Sequence, residues 1–166
     1  MASGKSTSAD LLKEHIDRIY TVDFDAVKKQ ISGYDSSRDK VVATAITYDT
    51  LRSVSQTDLP VLALLPPPKD SEMYDRIVII AKASNRKIIN IELTAPLETL
   101  TSRYPDWLRL HQALQESGNK VNLRTADEFK QAVQTPYFRP DDTHTFDSSS
   151  LSPNEIFEQV KAYLTS

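Results

Sequence analysis

The sequence predicts an α/β fold in which helices cover both faces of a parallel sheet. Short apolar runs alternate with stretches of helical periodicity along nearly the whole chain, the pattern of strand, crossover helix and strand. Gly4-Lys5-Ser6-Thr7 has the form of the second half of a phosphate-binding loop, G-x-x-x-x-G-K-[ST], and stands where the first helical pattern begins.

The spacing of Leu11, Leu12 and Ile16 predicts a first helix over 6–16. A short strand, 18–23, then ends in acid, and a short helix occupies 24–31. After a turn at 33–35, Val41, Ala45, Tyr48 and Leu51 run along a longer helix at 37–56. Residues 60–65 are a buried strand, closed by Pro66-Pro67-Pro68 because proline has no amide hydrogen to give to a ladder. A helix at 73–84 leads to the strand KIINIEL, 87–93. The next helix, 97–116, should kink or split at Pro105. A loop at 118–122 precedes a helix at 125–133 with Thr125 as N-cap, and 144–147 is the fourth strand. Ser152-Pro153-Asn154-Glu155 then starts the last helix, with serine as cap, proline at the first position and glutamate closing a capping box.

A chain of 166 residues makes one domain with room for a core. The net charge of −3 leaves no global basic footprint for duplex nucleic acid, so a nucleotide suits it better. There is no cysteine, hence no disulfide framework or thiol nucleophile, which fits a reducing cytoplasm. His15, His111 and His144 are scattered without ligand spacing, and no apolar run reaches the roughly 20 residues of a membrane span.

In parallel sheets ligands bind past the carboxyl ends of the strands, so residues 23–28, 66–70, 94–96 and 147–150 are the ones to read. The opening quartet supplies the chemistry. Ser3, Gly4, Lys5, Ser6 and Thr7 would bind nucleotide: glycine lets backbone amides approach phosphates, Lys5 places a cation on the β and γ phosphates, Ser6 reaches Mg2+, and the helix N-terminus adds its dipole. Read without a ligand, the same residues are a helix start rich in small side chains.

Four stretches in order, MASGKST, VDFDAVKK, the A-P-L-E-x-L-x-x-R of 95–103, and TFDSSSLSPNEI, resemble the P-loop small-molecule and polynucleotide kinases grouped with the zeta toxins. The resemblance covers nearly the whole chain, and the order of the motifs carries it. It implies a three-layer P-loop NTPase fold of the nucleoside-monophosphate-kinase kind. It also implies transfer of the γ-phosphoryl of ATP or GTP, with Mg2+, to a hydroxyl of a small molecule or nucleotide. Asp25 with Lys28 fits the slot of the acid that meets the acceptor, lysine standing where the group commonly has arginine. Asp23 is the competing acid, expected at Mg2+ or as a helix N-cap. Arg103, Arg109 and Arg124 fall in an expected lid, 103–139, that would bring cations to the transferring phosphate.

Two departures stand beside this. Leu64-Leu65-Pro66-Pro67-Pro68 occupies the third-strand end where the group commonly carries an acid. And the strand that precedes the phosphate loop, central in such sheets, is missing from the chain, so two flanking strands would keep unpaired backbone groups at about 1–3 kcal/mol each; Met1 then reads as an internal methionine or a misplaced start. A nucleotide-binding module without transfer is the competing class. A polynucleotide acceptor would need interleaved basic and aromatic residues, of which Tyr20, Lys28, Lys29 and Tyr34 are the visible ones.

Overall fold

The computed structural model describes residues 3–116 and 123–164, so the loop expected at 118–122 lies outside the described residues. Twelve elements follow one another: α1 (Lys5–His15), β1 (Tyr20–Asp23), α2 (Phe24–Gln30), α3 (Ser36–Ser55), β2 (Val61–Leu64), α4 (Ser71–Ala83), β3 (Ile91–Thr94), α5 (Leu97–Ser102), α6 (Tyr104–Glu116), α7 (Ala126–Gln134), β4 (His144–Asp147) and α8 (Pro153–Leu164).

Local chemistry sets most of the boundaries. Asp23, Asp35 and Asp70 each accept a backbone amide at the start of the following helix. Thr125 and Glu128 form a capping box at α7, and Ser152 with Glu155 does the same at α8. The long helix expected at 97–116 divides at Arg103. Pro105 is the second residue of α6, where its missing amide is one that no helical carbonyl would have paired, so it begins a helix instead of interrupting one. After α4, Asn85 adopts a left-handed φ of 50°, a conformation asparagine tolerates, and this turns the Arg86 amide back onto the Ala81 carbonyl at 2.8 Å.

The strands depart from the single parallel sheet the sequence predicts. β1 pairs with β2 and β3 with β4, both in parallel, and among the described residues the two pairs are separate sheets. The third strand is also shorter than 87–93. Pairing ends where the His144 amide donates to the Asn90 carbonyl at 2.8 Å, since Thr143 is already bonded into a turn with Pro140 and cannot extend β4 backwards.

Neighbouring residues of β2 serve different cores. Val61 packs with Val22, Leu51, Val54 and Ile80 against α3 and α4, whereas Leu62 packs with Leu12, Phe146, Ile156, Phe157 and Val160 under α1 and α8. The second cluster also receives Leu93 from β3, so α1 and α8 lie over the junction of the two sheets. A third apolar unit holds α6 to α7: Phe129 is fully buried among the rings of Tyr104 and Trp107. Phe129→Ala should therefore cost about 3–5 kcal/mol in denaturant unfolding, as for other buried aromatic truncations. A loss below about 1 kcal/mol would mean that this unit does not unfold with the rest of the domain. Among the described residues no helix is long and apolar enough to cross a membrane.

Candidate nucleotide and acceptor site

The first element of the site is the start of α1. Gly4 is its N-cap residue, with φ 87° and ψ 7°, a left-handed conformation that strains any residue with a Cβ. Glycine offers no side chain to cap the helix, and no acid lies in the first turn. The first turn's orphan amides and positive dipole end are thereby kept for an external anion. α2, α3, α4, α7 and α8 all have a side-chain cap at the same place. Lys5, Ser6 and Thr7 are exposed, while Ser8 and Ala9 are buried and root the turn in the fold. Since α1 leads into the amino end of β1, its own N-terminus lies toward the carboxyl ends of the strands.

The end of β1 supplies the second element. Asp23 accepts the Asp25 amide at 2.8 Å, so the expected N-cap role is realised, and one carboxylate oxygen is spent on it. Asp25 pairs with Lys28 one turn on, at 2.6 Å. Burial alone would raise the Asp25 carboxyl, but the bond and charge of Lys28, then the charges of Lys5 and Lys29, outweigh it and hold the group below its ordinary value. The Asp25 side chain is 57% exposed, so solvent screens these effects and they carry little stability. They do establish proximity: the structure brings Lys5, Asp25 and Lys28 together. Lys28 also lies 5.3 Å from the Phe24 ring centroid and 5.8 Å from that of Tyr34. Tyr20, at the opposite end of β1, is not part of this group.

The expected lid arginines are not gathered at the site. Arg103 donates to Ser148, to its Oγ at 3.1 Å and its carbonyl at 2.7 Å, and so ties the α5–α6 break to the loop after β4. Arg109 pairs with Asp106 on an exposed face of α6. Arg124 receives the Tyr104 hydroxyl on its carbonyl at 2.7 Å and acts electrostatically on Glu128.

Residues that could hold a metal are few. Among the described residues no group of three or more His, Asp or Glu side chains is poised around one point. His15 and His111 each bond a carbonyl in their own helix, and His144 stacks on Tyr163. Ser6 and the second oxygen of Asp23 remain. One hydroxyl and one carboxylate fit Mg2+, which keeps several waters and completes its shell with phosphate oxygens. A cavity of about 570 Å³, lined by Tyr74, Val78, Lys82, Phe138 and Asp142 among others, involves none of these residues. A phosphate bound across a helix end needs amides more than enclosure, so this cavity does not displace the α1 site.

Sequence reasoning missed Arg86, whose guanidinium donates to the carbonyls of Ser55, Thr57 and Leu59 and fixes the entry to β2. It also missed the Arg103 bond to Ser148, for which 45 intervening residues left no local signal.

No protein-family model and no curated protein matches the chain. Solved structures do. A candidate kinase from Chloroflexus aurantiacus J-10-fl is similar with a TM-score of 0.73 at 19% identity, over 99% of this chain and 91% of that one. The APS kinase CysC of Mycobacterium tuberculosis, solved with AMPPNP and APS, gives 0.64 at 19% identity over 99% and 92%. The tunicamycin resistance protein of Deinococcus radiodurans gives 0.59 at 16% identity over 96% and 90%. Likeness at these identities establishes the fold: the chain shares that of these kinases, and its α/β order with parallel strands fits a P-loop NTPase.

Proposed function

We propose that the protein is a cytoplasmic phosphotransferase that moves the γ-phosphoryl group of ATP or GTP to a hydroxyl of a small molecule or nucleotide. The observation that carries this reading is the uncapped N-terminus of α1, with Lys5 in its first turn and its charge acting on Asp25. Ser3 to Thr7 would hold the phosphates, and Lys5 would neutralise the charge that develops on the transferring group. Ser6 and Asp23 would hold Mg2+, which supplies charge neutralisation across the phosphates. Asp25 would orient the acceptor hydroxyl. Its oxygen attacks the γ-phosphorus, the bond to the β–γ bridging oxygen breaks, the nucleoside diphosphate leaves, and the hydroxyl proton passes to Asp25 or to water. That the similar APS kinase was solved with AMPPNP agrees with a nucleotide at this edge.

The same reading treats the two sheets as parts of one three-layer P-loop sheet, joined by a further parallel strand between β2 and β3. Leu62 and Leu93 share one core on the two sides of that junction, which supports it. Incubating the protein with γ-labelled ATP, Mg2+ and a panel of nucleosides, nucleotide sugars, aminoglycosides and 5′-hydroxyl oligonucleotides tests the function. Label on an acceptor is the expected result, and ATP binding without any transfer would favour the second reading.

That second reading, a nucleotide-binding module without transfer, is favoured by Leu64-Leu65-Pro66-Pro67-Pro68, where no acid follows β2 to support the metal. Asp23 then carries more of the metal's hold. Asp23→Asn should raise the Mg2+ concentration needed for half-maximal activity, since asparagine still caps α2 and only the charge is lost. An unchanged Mg2+ requirement would remove Asp23 from the metal.

Arg103, Arg109 and Arg124 reach the phosphates in this scheme only if 103–139 moves as a lid. Hydrogen exchange in the described parts of that stretch, 103–116 and 123–139, is expected to be the fastest in the domain without nucleotide and to slow when nucleotide is added. Equally slow exchange in both states would leave the arginines outside the chemistry.

A further inference from the structure

Lys28 is more constrained than a surface lysine need be. Its ammonium is 2.6 Å from Asp25 and within 6 Å of the centroids of both the Phe24 and Tyr34 rings, and its side chain is 32% exposed. The carboxylate that the reaction needs is therefore already occupied by a cation. A hydroxyl hydrogen bonded to Asp25 would have to compete with a charge-assisted contact, which is roughly twice as strong as a neutral one.

Something must take Lys28 away, and the surroundings say what. Lys5, Lys28 and Lys29 all act on Asp25. Under the proposed function Lys5 serves the donor phosphates and Asp23 the metal, which leaves Lys28 and Lys29 facing Asp25 alone. An anion on the acceptor would satisfy the extra cation. Phe24 and Tyr34, both half-buried, would then present their rings to a planar group of the same molecule once the ammonium has left them.

We infer that the acceptor combines an anionic group with an aromatic ring, and that its anion draws Lys28 off Asp25 and so frees the carboxylate to orient the hydroxyl. This rests on the phosphotransferase reading and narrows it. Specificity arises because a neutral acceptor leaves Asp25 masked, a form of discrimination by an unfavourable starting state.

The test is a square of four acceptors with γ-labelled ATP: adenosine, adenosine 5′-monophosphate, glycerol and glycerol 3-phosphate. Wild-type kcat/KM should favour each phosphorylated acceptor over its neutral partner by about 10- to 100-fold, the worth of one charge-assisted hydrogen bond. It should favour each aromatic acceptor over its aliphatic partner by roughly 2- to 12-fold, the worth of an aromatic contact. Lys28→Ala should reverse the first preference, raising kcat on adenosine while lowering it on the monophosphate, and Lys28→Gln should do the same with the chain length kept. Tyr34→Leu should remove only the aromatic preference. Equal use of charged and neutral acceptors by the wild type, or a charge preference that survives both Lys28 variants, overturns the inference. So does ATP binding with none of the four accepted, a result that leaves the nucleotide site standing. Absence of ATP binding in calorimetry is the separate result that removes the phosphotransferase reading itself.

Discussion

Lys5→Ala is expected to lower phosphoryl transfer by at least about 10³-fold while leaving the fold intact. Lys5 is the only cation placed in the first turn of α1 itself, and its side chain is exposed. In a loose transition state the protein contributes mainly position and charge, and a cation placed on a transferring phosphoryl group is worth on the order of 10³–10⁵ in rate. The cost to stability should be small, because exposed substitutions stay within about 0.5 kcal/mol and shift the melting temperature by only about 2 °C in a domain of this size. Measured side by side, calorimetric melting and labelled transfer should separate cleanly. Retained activity would mean that the N-terminus of α1 is not where the phosphates sit.

Asp25→Asn is expected to lower turnover by roughly 10²–10⁴-fold with ATP affinity close to normal, the usual share of a positioned acid–base group. Two features favour Asp25 over Asp23 for this role. Asp23 already spends an oxygen on the Asp25 amide and stands at the strand end, on the metal side, whereas Asp25 projects from α2 with 57% of its side chain exposed to an incoming molecule. The substitution also removes the pair with Lys28, so a modest rise in KM should accompany the fall in kcat. Steady-state kinetics with a saturating donor would check both. If Asp23→Asn gave the larger loss in turnover and Asp25→Asn altered only the Mg2+ requirement, the two roles would be exchanged.

Much of the architecture was legible because local rules decide it. The caps at Thr125 and Ser152, the stop at Pro66 and the break before Pro105 each depend on a few neighbouring residues, and the structure places them where those residues dictate. The αL glycine and the exposed Lys5 and Ser6 were legible as well, since the Gly-Lys-Ser order at a helix start has few structural uses. What the chain could not reveal locally is pairing at a distance. Nothing in KIINIEL says that Thr143 turns too early for residues 87–89 to find a partner, or that the four strands divide into two sheets. The acceptor side shows the same limit. Tyr34 was visible as an aromatic near two lysines, but only the return of the chain from α2 to α3 sets its ring beside Lys28. For the arginines, the sequence supplied the residues without their partners: Arg103 belongs to Ser148 and Arg109 to Asp106 in this conformation.

The central claim is that nucleotide phosphates bind across the first turn of α1. Backbone amide chemical shifts recorded while the wild-type protein is titrated with AMPPNP and Mg2+ test it most directly. The largest shifts should fall on Gly4, Lys5, Ser6 and Thr7, whose amides would meet the phosphates, with smaller ones at Asp23 and Asp25. Shifts confined to the cavity beside Tyr74 and Phe138, with the Gly4 to Thr7 amides unmoved at saturation, would contradict it.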